Sequence, residues 1–352
     1  MNLLSGLYGA VTSSRNALFD RGVLHARRLE QPVISVGNLS AGGSGKTPFV
    51  IALGELLKER GIRFDVLSRG YRRKTRGVLV VDPNGSVSDF GDEPLLIARR
   101  LAVPVVVGES RYQAGQVAET KFHTQMHLLD DGFQHRSLAR DFDIVLMAPG
   151  DFEDRLLPSG RLREPLSSLS RADAIVLPQD LVAENPALRK KPIWRTRRDI
   201  HIRNSDFASS IPEGAAWEGT TREGTASAVP VARSKSAGFS PAVHGSLVAF
   251  CGLARPQQFF AQVRAAGMTP VAEIIFRDHH AYEKRDIQRL LTMQHELAAT
   301  GFLTTEKDAI NLGPLQFELV PLAIATLKLS LDRPTELVDT ILARIADRNP
   351  RS

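Results

Sequence analysis

The segment VISVGNLSAGGSGKTPFVIAL, Val33–Leu53, constrains the fold more than any other part of this 352-residue chain. A β-branched apolar run, a glycine-rich loop and a helical pattern follow one another, the order needed to cradle phosphate between a strand and a helix N-terminus. Gly45-Lys46-Thr47 closes the loop as G-x-x-x-x-G-K-[ST] prescribes, but Ser40 stands where the first glycine belongs. Position 40 is the loop entrance and not its tight inner turn, and Gly42-Gly43 keep the backbone permissive. The segment reads as a nucleotide site formed by Ser40, Ala41, Gly42, Gly43, Ser44, Gly45, Lys46 and Thr47. Lys46 is suited to the outer phosphates and the Thr47 hydroxyl to Mg2+. Pro48, just inside the helix, lacks an N–H that would have no helical partner there.

From Pro32 to Pro178 short Val/Ile/Leu runs alternate with helical patterns. Strands are expected over PVISVG, RFDVLS, VLVV, VPVVVG, MHLLD, FDIVLMAP and ADAIVLP. Helices are expected over KTPFVIALGELLKERG, DEPLLIARRLA and residues 110–121. Continuous apolar strands between helices mean a parallel sheet covered on both faces. A second alternation starts at SLVAFCG, with helices expected over ARPQQFFAQVRAAG, 282–300 and 335–348, and further β runs at PVAEIIF, GFLTT and VPLAIATLKL. Between the two, PIWRTRRDIHI has β character, and residues 204–244 are small and polar with scattered Pro and Gly, as in a mobile insertion. The expected division is an amphipathic N-terminal helical segment over 1–30, a core domain over 31–190, linker strands with the insertion over 191–245, and a smaller domain over 246–352.

The single cysteine, Cys251, excludes a disulfide framework and a thiolate zinc site and suits a reducing compartment. No apolar run reaches the roughly 20 residues of a membrane span, and the N-terminus lacks the pattern of a secretory signal. Net charge is +6, and it is concentrated: residues 58–76 hold eight basic side chains against two acidic ones. Such a cluster suits a solvated loop or an anionic partner. In residues 1–30 the apolar Leu3, Leu4, Leu7, Val11, Leu18, Val23 and Leu24 are interleaved with four arginines. Periodicity leans toward a stripe packed on the body of the protein, the alternative being a helix lying in a membrane interface.

Phosphoryl transfer needs a carboxylate for the metal at the end of a neighbouring strand. Asp130-Asp131, after MHLL, supply it, with either acid able to take the ion. Asp92, in DFGDEP, reads equally as a helix cap or as a base. Thr305 and Asp308 have capping-box spacing.

VGNLSAGGSGKTP, LSRGY, GDEP, LLDDGFQH, LLPSGRLREP, FCGLARPQQF, FRDHHAY and LTTEKDAINL together resemble the tetraacyldisaccharide 4'-kinase family over about residues 31–312. A Ser or Thr at the position of Ser40 is usual in that family. The resemblance implies a phosphate-loop NTPase-like α/β/α core domain with a second, smaller α/β/α domain, joined by two strands. It implies transfer of the γ-phosphate of ATP, with Mg2+, to the 4'-hydroxyl of an acylated diglucosamine 1-phosphate in lipid A biosynthesis. The expected setting is peripheral, on the cytoplasmic face of a bacterial inner membrane. In residue terms it implies Asp92 as catalytic base with His279 as its partner, preferred over His280. Glu164 is implied near the metal with Thr47, Asp130 and Asp131. Gln134, His135, Arg161 and Arg163 belong to the surrounding pocket. A membrane-held substrate gives the basic N-terminal segment and the 58–76 cluster a task on anionic lipid. The competing classes are a phosphate-loop switch or motor on nucleic acid and a kinase of a soluble sugar. Nucleic acid is not expected as a partner, because Tyr71 is the only aromatic beside the basic cluster that a base could stack on.

Overall fold

A computed structural model describes residues 3–43, 45–182, 185–189, 191–204 and 245–348. Ser44 and residues 205–244, most of the expected insertion, lie outside the described residues. Two compact units emerge: Met1–Asp199 with Leu327–Ser352, and Ile200–Thr326.

The first unit holds, in chain order, α1 (Leu3–Asp20), β1 (Val33–Asn38), α2 (Lys46–Glu59), β2 (Phe64–Ser68), β3 (Leu79–Val80), α3 (Val87–Phe90), α4 (Asp92–Leu101), β4 (Val105–Val107), α5 (Arg111–Phe122), β5 (Met126–Asp130), β6 (Phe142–Leu146), β7 (Ala174–Pro178) and the start of β8 (Ile193–Asn204). Its strands run in the order β8-β7-β6-β1-β5-β2-β4-β3. All these pairings are parallel except the short β3, which is antiparallel to β4. Every residue of β1, β2, β5 and β6 is buried. Burial on both faces is why these strands read as continuous apolar runs and not as alternating ones.

The second unit holds the end of β8, then β9 (Leu247–Cys251), α6 (Pro256–Ala265), β10 (Ala272–Ile275), α7 (Lys284–Glu296), β11 (Gly301–Thr305), α8 (Glu306–Leu312) and the start of β12 (Leu322–Leu331). Its strand order is β10-β9-β11-β12, again parallel. Phe250, Phe302, Ile287 and Leu290 centre its core. The chain enters this unit along β8 and leaves it along β12.

Three boundaries differ from expectation. Residues 327–348 cluster with the first unit, whereas 246–352 was expected as one C-terminal domain. The cause lies in α9 (Pro334–Arg348), whose Leu337, Val338 and Ile341 are buried and whose Asp339 pairs with Arg60 at 2.8 Å. The helix expected over 282–300 starts later, where Glu283 and Asp286 form a capping box, and ends before Ala298 at φ 48°. The N-terminal helix stops at Asp20, and Gly22 follows with φ 71°.

The face α1 presents is the reverse of the packed stripe that periodicity favours. Leu3 is 88% and Leu7 64% exposed, and Leu4 and Val11 are exposed too, whereas Ser5 and Asn16 are the buried residues of the helix. Polar bonds seat it: Ser5 Oγ donates to Ser159 Oγ at 2.7 Å, Tyr8 donates to Arg163 O at 3.1 Å, and Arg136 donates to Asn16 O at 2.9 Å.

Candidate active site

The loop after β1 is built on two positive φ angles, 95° at Gly42 and 89° at Gly45, where α2 begins. Ser40 is not among the positive-φ residues, so the backbone there does not call for glycine. It is buried and bridges to Leu162, while Ala41 N–H donates to Arg161 O at 2.7 Å and Arg163 N–H to Leu39 O at 2.6 Å. The GRLREP segment thus holds the loop entrance in place. Lys46 Nζ donates to Asn38 Oδ1 at 3.0 Å and lies 3.4 Å from Asp131 Oδ1. Thr47 is buried on the first turn of α2.

At the end of β5 the two adjacent acids have separate environments. Asp131, at φ 51°, accepts from Arg163 Nη1 at 3.0 Å and faces Lys46. Burial works against its charge, yet Lys46 and Arg163 hold its carboxyl below the usual range. Asp130 is 2% exposed; its Oδ2 accepts from Ser68 at 3.2 Å, and its Oδ1 is buried with no hydrogen-bond partner among the described residues. Burial first, then Glu93 and Asp131, push its pKa up to about 7.

Asp92 does not cap its helix. Gly91, at φ 89°, occupies that position, and Asp92 is the first residue of α4, buried, accepting Glu93 N–H at 2.9 Å. Glu164 is buried, with Oε2 taken by Asn16 at 2.7 Å and Arg171 at 2.8 Å and with Oε1 lacking a hydrogen-bond partner among the described residues. Asp130, Asp131 and Glu164 do not gather into a three-carboxylate metal group among the described residues. Gln134 donates to Asn38 O at 2.8 Å and receives Arg163 at 3.4 Å, which puts it at the base of the loop. His135, in the same turn, has its pKa lowered to about 4 by burial and by Arg111, Arg140 and Arg15. Arg161 pairs with Asp154 at 2.8 Å.

The model of the family described as tetraacyldisaccharide-1-P 4'-kinase matches residues 1–346. The chain belongs to that family. A tetraacyldisaccharide 4'-kinase of Koribacter versatilis is 44% identical over 99% of both chains, and that of Aquifex aeolicus 38% over 88% of both. The crystal structure of an "apo" form LpxK from Aquifex aeolicus in complex with ATP superposes with a TM-score of 0.75 at 35% identity, covering 97% of each chain.

For a tetraacyldisaccharide-1-P 4'-kinase family member, three groups around the acids escaped the reading of the sequence. Glu93 acts electrostatically on Asp130. Arg111 is buried at the start of α5, its Nε without a hydrogen-bond partner among the described residues, and it feels both Asp131 and Asp130. Burial first and then Arg69 lower its pKa to about 10, so it stays charged. Asn38 receives Lys46 and donates to Ser40 O at 2.6 Å. The available signal was position: Asn38 ends β1 and Arg111 follows β4, at the C-terminal ends of parallel strands where such sheets bind ligands, and Glu93 lies in the first turn of α4. A fourth group, Arg198 of β8, lies against the loop: a Cβ added to Gly45 would fall 2.4 Å from its Nη2.

In the second unit the two adjacent histidines differ. His280 is held by Asp286 at 2.9 Å and stacks on Phe276 at 4.8 Å. His279 stands at φ 55° with its Nε2 3.2 Å from Lys307 Nζ. Asp278, the residue before it, is 3.9 Å from that nitrogen, beyond hydrogen-bond range.

Of the 58–76 cluster, Lys58 donates to Leu101 O at 2.7 Å, Arg60 pairs with Asp339, and Arg73 pairs with Glu109 at 3.0 Å. Arg69, Arg72, Lys74 and Arg76 are exposed. No helix among the described residues is long and apolar enough to cross a membrane.

Proposed function

We propose that this kinase-family member transfers the γ-phosphate of ATP to the 4'-hydroxyl of tetraacyldisaccharide 1-phosphate in lipid A biosynthesis. The observation that carries the reading is the division of labour at the end of β5. Asp131 is engaged by Lys46 and Arg163, while buried Asp130 keeps one oxygen without a hydrogen-bond partner among the described residues.

That donor set fits Mg2+, which takes hard oxygens from one or two carboxylates and completes its shell with water and phosphate. Asp130 and the Thr47 hydroxyl would hold it, and it would neutralise charge on the phosphates. Lys46 and the loop amides bind the outer phosphates. The Asp92 carboxylate takes the proton from the 4'-hydroxyl as the O–P bond to the γ-phosphorus forms and the bond to the ADP oxygen breaks. His279 is its histidine partner. Arg111 and Arg163 offset the negative charge of the transferring group.

The enzyme works peripherally at the cytoplasmic face of the inner membrane. Leu3, Leu4, Leu7 and Val11 enter the interface, and Arg69, Arg72, Lys74 and Arg76 meet anionic headgroups, each worth about 1 kcal/mol near such a surface.

The test is incubation with γ-labelled ATP, Mg2+ and tetraacyldisaccharide 1-phosphate in mixed micelles beside Asp92→Ala. Label in a bisphosphorylated lipid, nearly lost in the variant, is the expected result. Transfer that survives in the variant discards Asp92 as base. ATP hydrolysis indifferent to lipid points to a phosphate-loop switch or motor instead.

A further inference from the structure

The TEKD stretch at the start of α8 enters none of the chemistry above, yet it meets two loops at the C-terminal ends of the second unit's parallel strands. Asp308 is fully buried. Its carboxylate accepts from Gly252 N–H and the Tyr282 hydroxyl, each at 2.9 Å, and from the Thr305 hydroxyl at 2.5 Å. Gly252 O in turn accepts from His279 N–H at 3.2 Å. A Cβ at Gly252 would lie 2.8 Å from Arg277 O and 3.1 Å from Asp308 Oδ1, so the two loops touch with no room for a side chain. His279 is thereby held at φ 55°, a backbone state that a residue other than glycine occupies only when its surroundings impose it.

The neighbouring Lys307 reaches the ring itself, with Nζ 3.2 Å from Nε2. An ammonium has donors only, so Nε2 accepts and the neutral imidazole carries its one proton on Nδ1. Asp278 stands 4.0 Å from the ammonium, close enough to attract it and too far to orient the ring.

We infer that Lys307 is a positioning residue for the phosphoryl transfer: its ammonium fixes the ring and the Nδ1–H tautomer of His279, while Asp308 fixes the backbone that carries it. A ring so held has one donor, Nδ1–H, to give a carboxylate. The inference rests on the reading of His279 as partner of the catalytic base.

Lys307→Met, His279→Ala and the double variant of the full chain, assayed with ATP, Mg2+ and the acylated disaccharide in micelles, test it. Lys307→Met should lower kcat about tenfold with KM for ATP unchanged, and the double variant should be no slower than His279→Ala alone. 15N spectra of histidine-labelled protein, with His279 assigned by its loss in His279→Ala, should show Nε2 as an acceptor in the native chain and protonated in Lys307→Met. Lys307→Gln, which restores a neutral donor, should recover part of the rate. Full activity in Lys307→Met, or losses that multiply in the double variant, overturns the role of Lys307 while His279 stands. Full activity in His279→Ala instead overturns the reading of His279.

Discussion

Asn16 Nδ2 donates to Glu164 Oε2 at 2.7 Å inside the protein, although Asn16 belongs to a helix whose leucines face out. The bond explains the orientation of α1. A polar residue on the face away from the stripe finds a buried carboxylate that already receives Arg171, and the apolar side is left exposed. Exposed leucines on a helix that basic side chains flank are the pattern of an interfacial helix.

Replacing Leu3, Leu4, Leu7 and Val11 together with Ser should therefore abolish cosedimentation with anionic vesicles and leave ATP binding and Tm unchanged. Asn16→Ala should do the opposite, lowering Tm by leaving Glu164 short of a partner, at a cost of about 1–3 kcal/mol. If the four-Ser variant still sediments, α1 is not the anchor.

Asp130 couples function to stability. Its folded pKa, about 7, lies above the ordinary aspartate value of 3.8, so its contribution to stability is fully present below 3.8 and is lost as pH rises through about 7. Asp130→Asn should accordingly melt higher than the native apoprotein at pH 8, by a few degrees, with the difference closing toward pH 4. The same variant should lose about 100-fold or more in kcat, and Mg2+ with ATP should no longer raise its Tm as much as in the native chain. Equal melting at pH 8 would show that the buried carboxylate is not penalised.

A second buried ion group sits on β5, at the strand end away from the loop. His127 Nδ1 meets Asp65 Oδ2 at 2.7 Å and Nε2 meets Glu119 at 3.3 Å. Burial opposes its charge, but the hydrogen bonds to Asp65 and Glu119 outweigh it and raise the pKa to about 9. The folded value again exceeds the ordinary histidine value, 6.5, so this stabilisation is complete below that pH and disappears as pH rises through about 9. His127→Gln should destabilise by about 3 kcal/mol near neutrality, because it leaves the buried Asp65 carboxylate, and the half-buried Glu119, without their cation. The gap from the native chain should narrow in denaturant titrations above about pH 9. A gap constant across that range would mean that the imidazole is neutral in the folded protein.

What the sequence made legible follows from the range of the interaction. The strand, loop and helix over Val33–Leu53 declare themselves through local pattern: a double-faced apolar strand, then glycines, then helical periodicity. The acids at Asp130-Asp131 were legible for the same reason, as charges terminating an apolar run. Periodicity could detect the stripe of α1 but not the direction it faces, because that is decided by Glu164 about 150 residues away. The membership of α9 in the first unit depends on partners such as Arg60, equally remote in sequence. Glu93 and Arg111 were hidden because they act on Asp130 from the first turns of two separate helices, α4 and α5, contacts that no local pattern encodes.

Gly45 offers the sharpest test of the loop, since two effects oppose any side chain there. Its φ of 89° is left-handed, and a Cβ would fall 2.4 Å from Arg198 Nη2 and 3.2 Å from Cζ. The conformational part costs about 1–2 kcal/mol, a factor of roughly 5–30 in affinity. Gly45→Ala should raise KM for ATP by at least that factor. Arg198 can be separated from it, because a flexible side chain can move away from a methyl group where a backbone cannot. A guanidinium lying on a phosphate-binding loop is placed to meet phosphate bidentately. Arg198→Ala alone should therefore weaken ATP about tenfold and reduce the salt dependence of binding. The combined variant should be weaker than either. If Arg198→Ala instead leaves ATP binding intact and restores Gly45→Ala, the arginine only packs on the loop and the methyl clash is the whole effect.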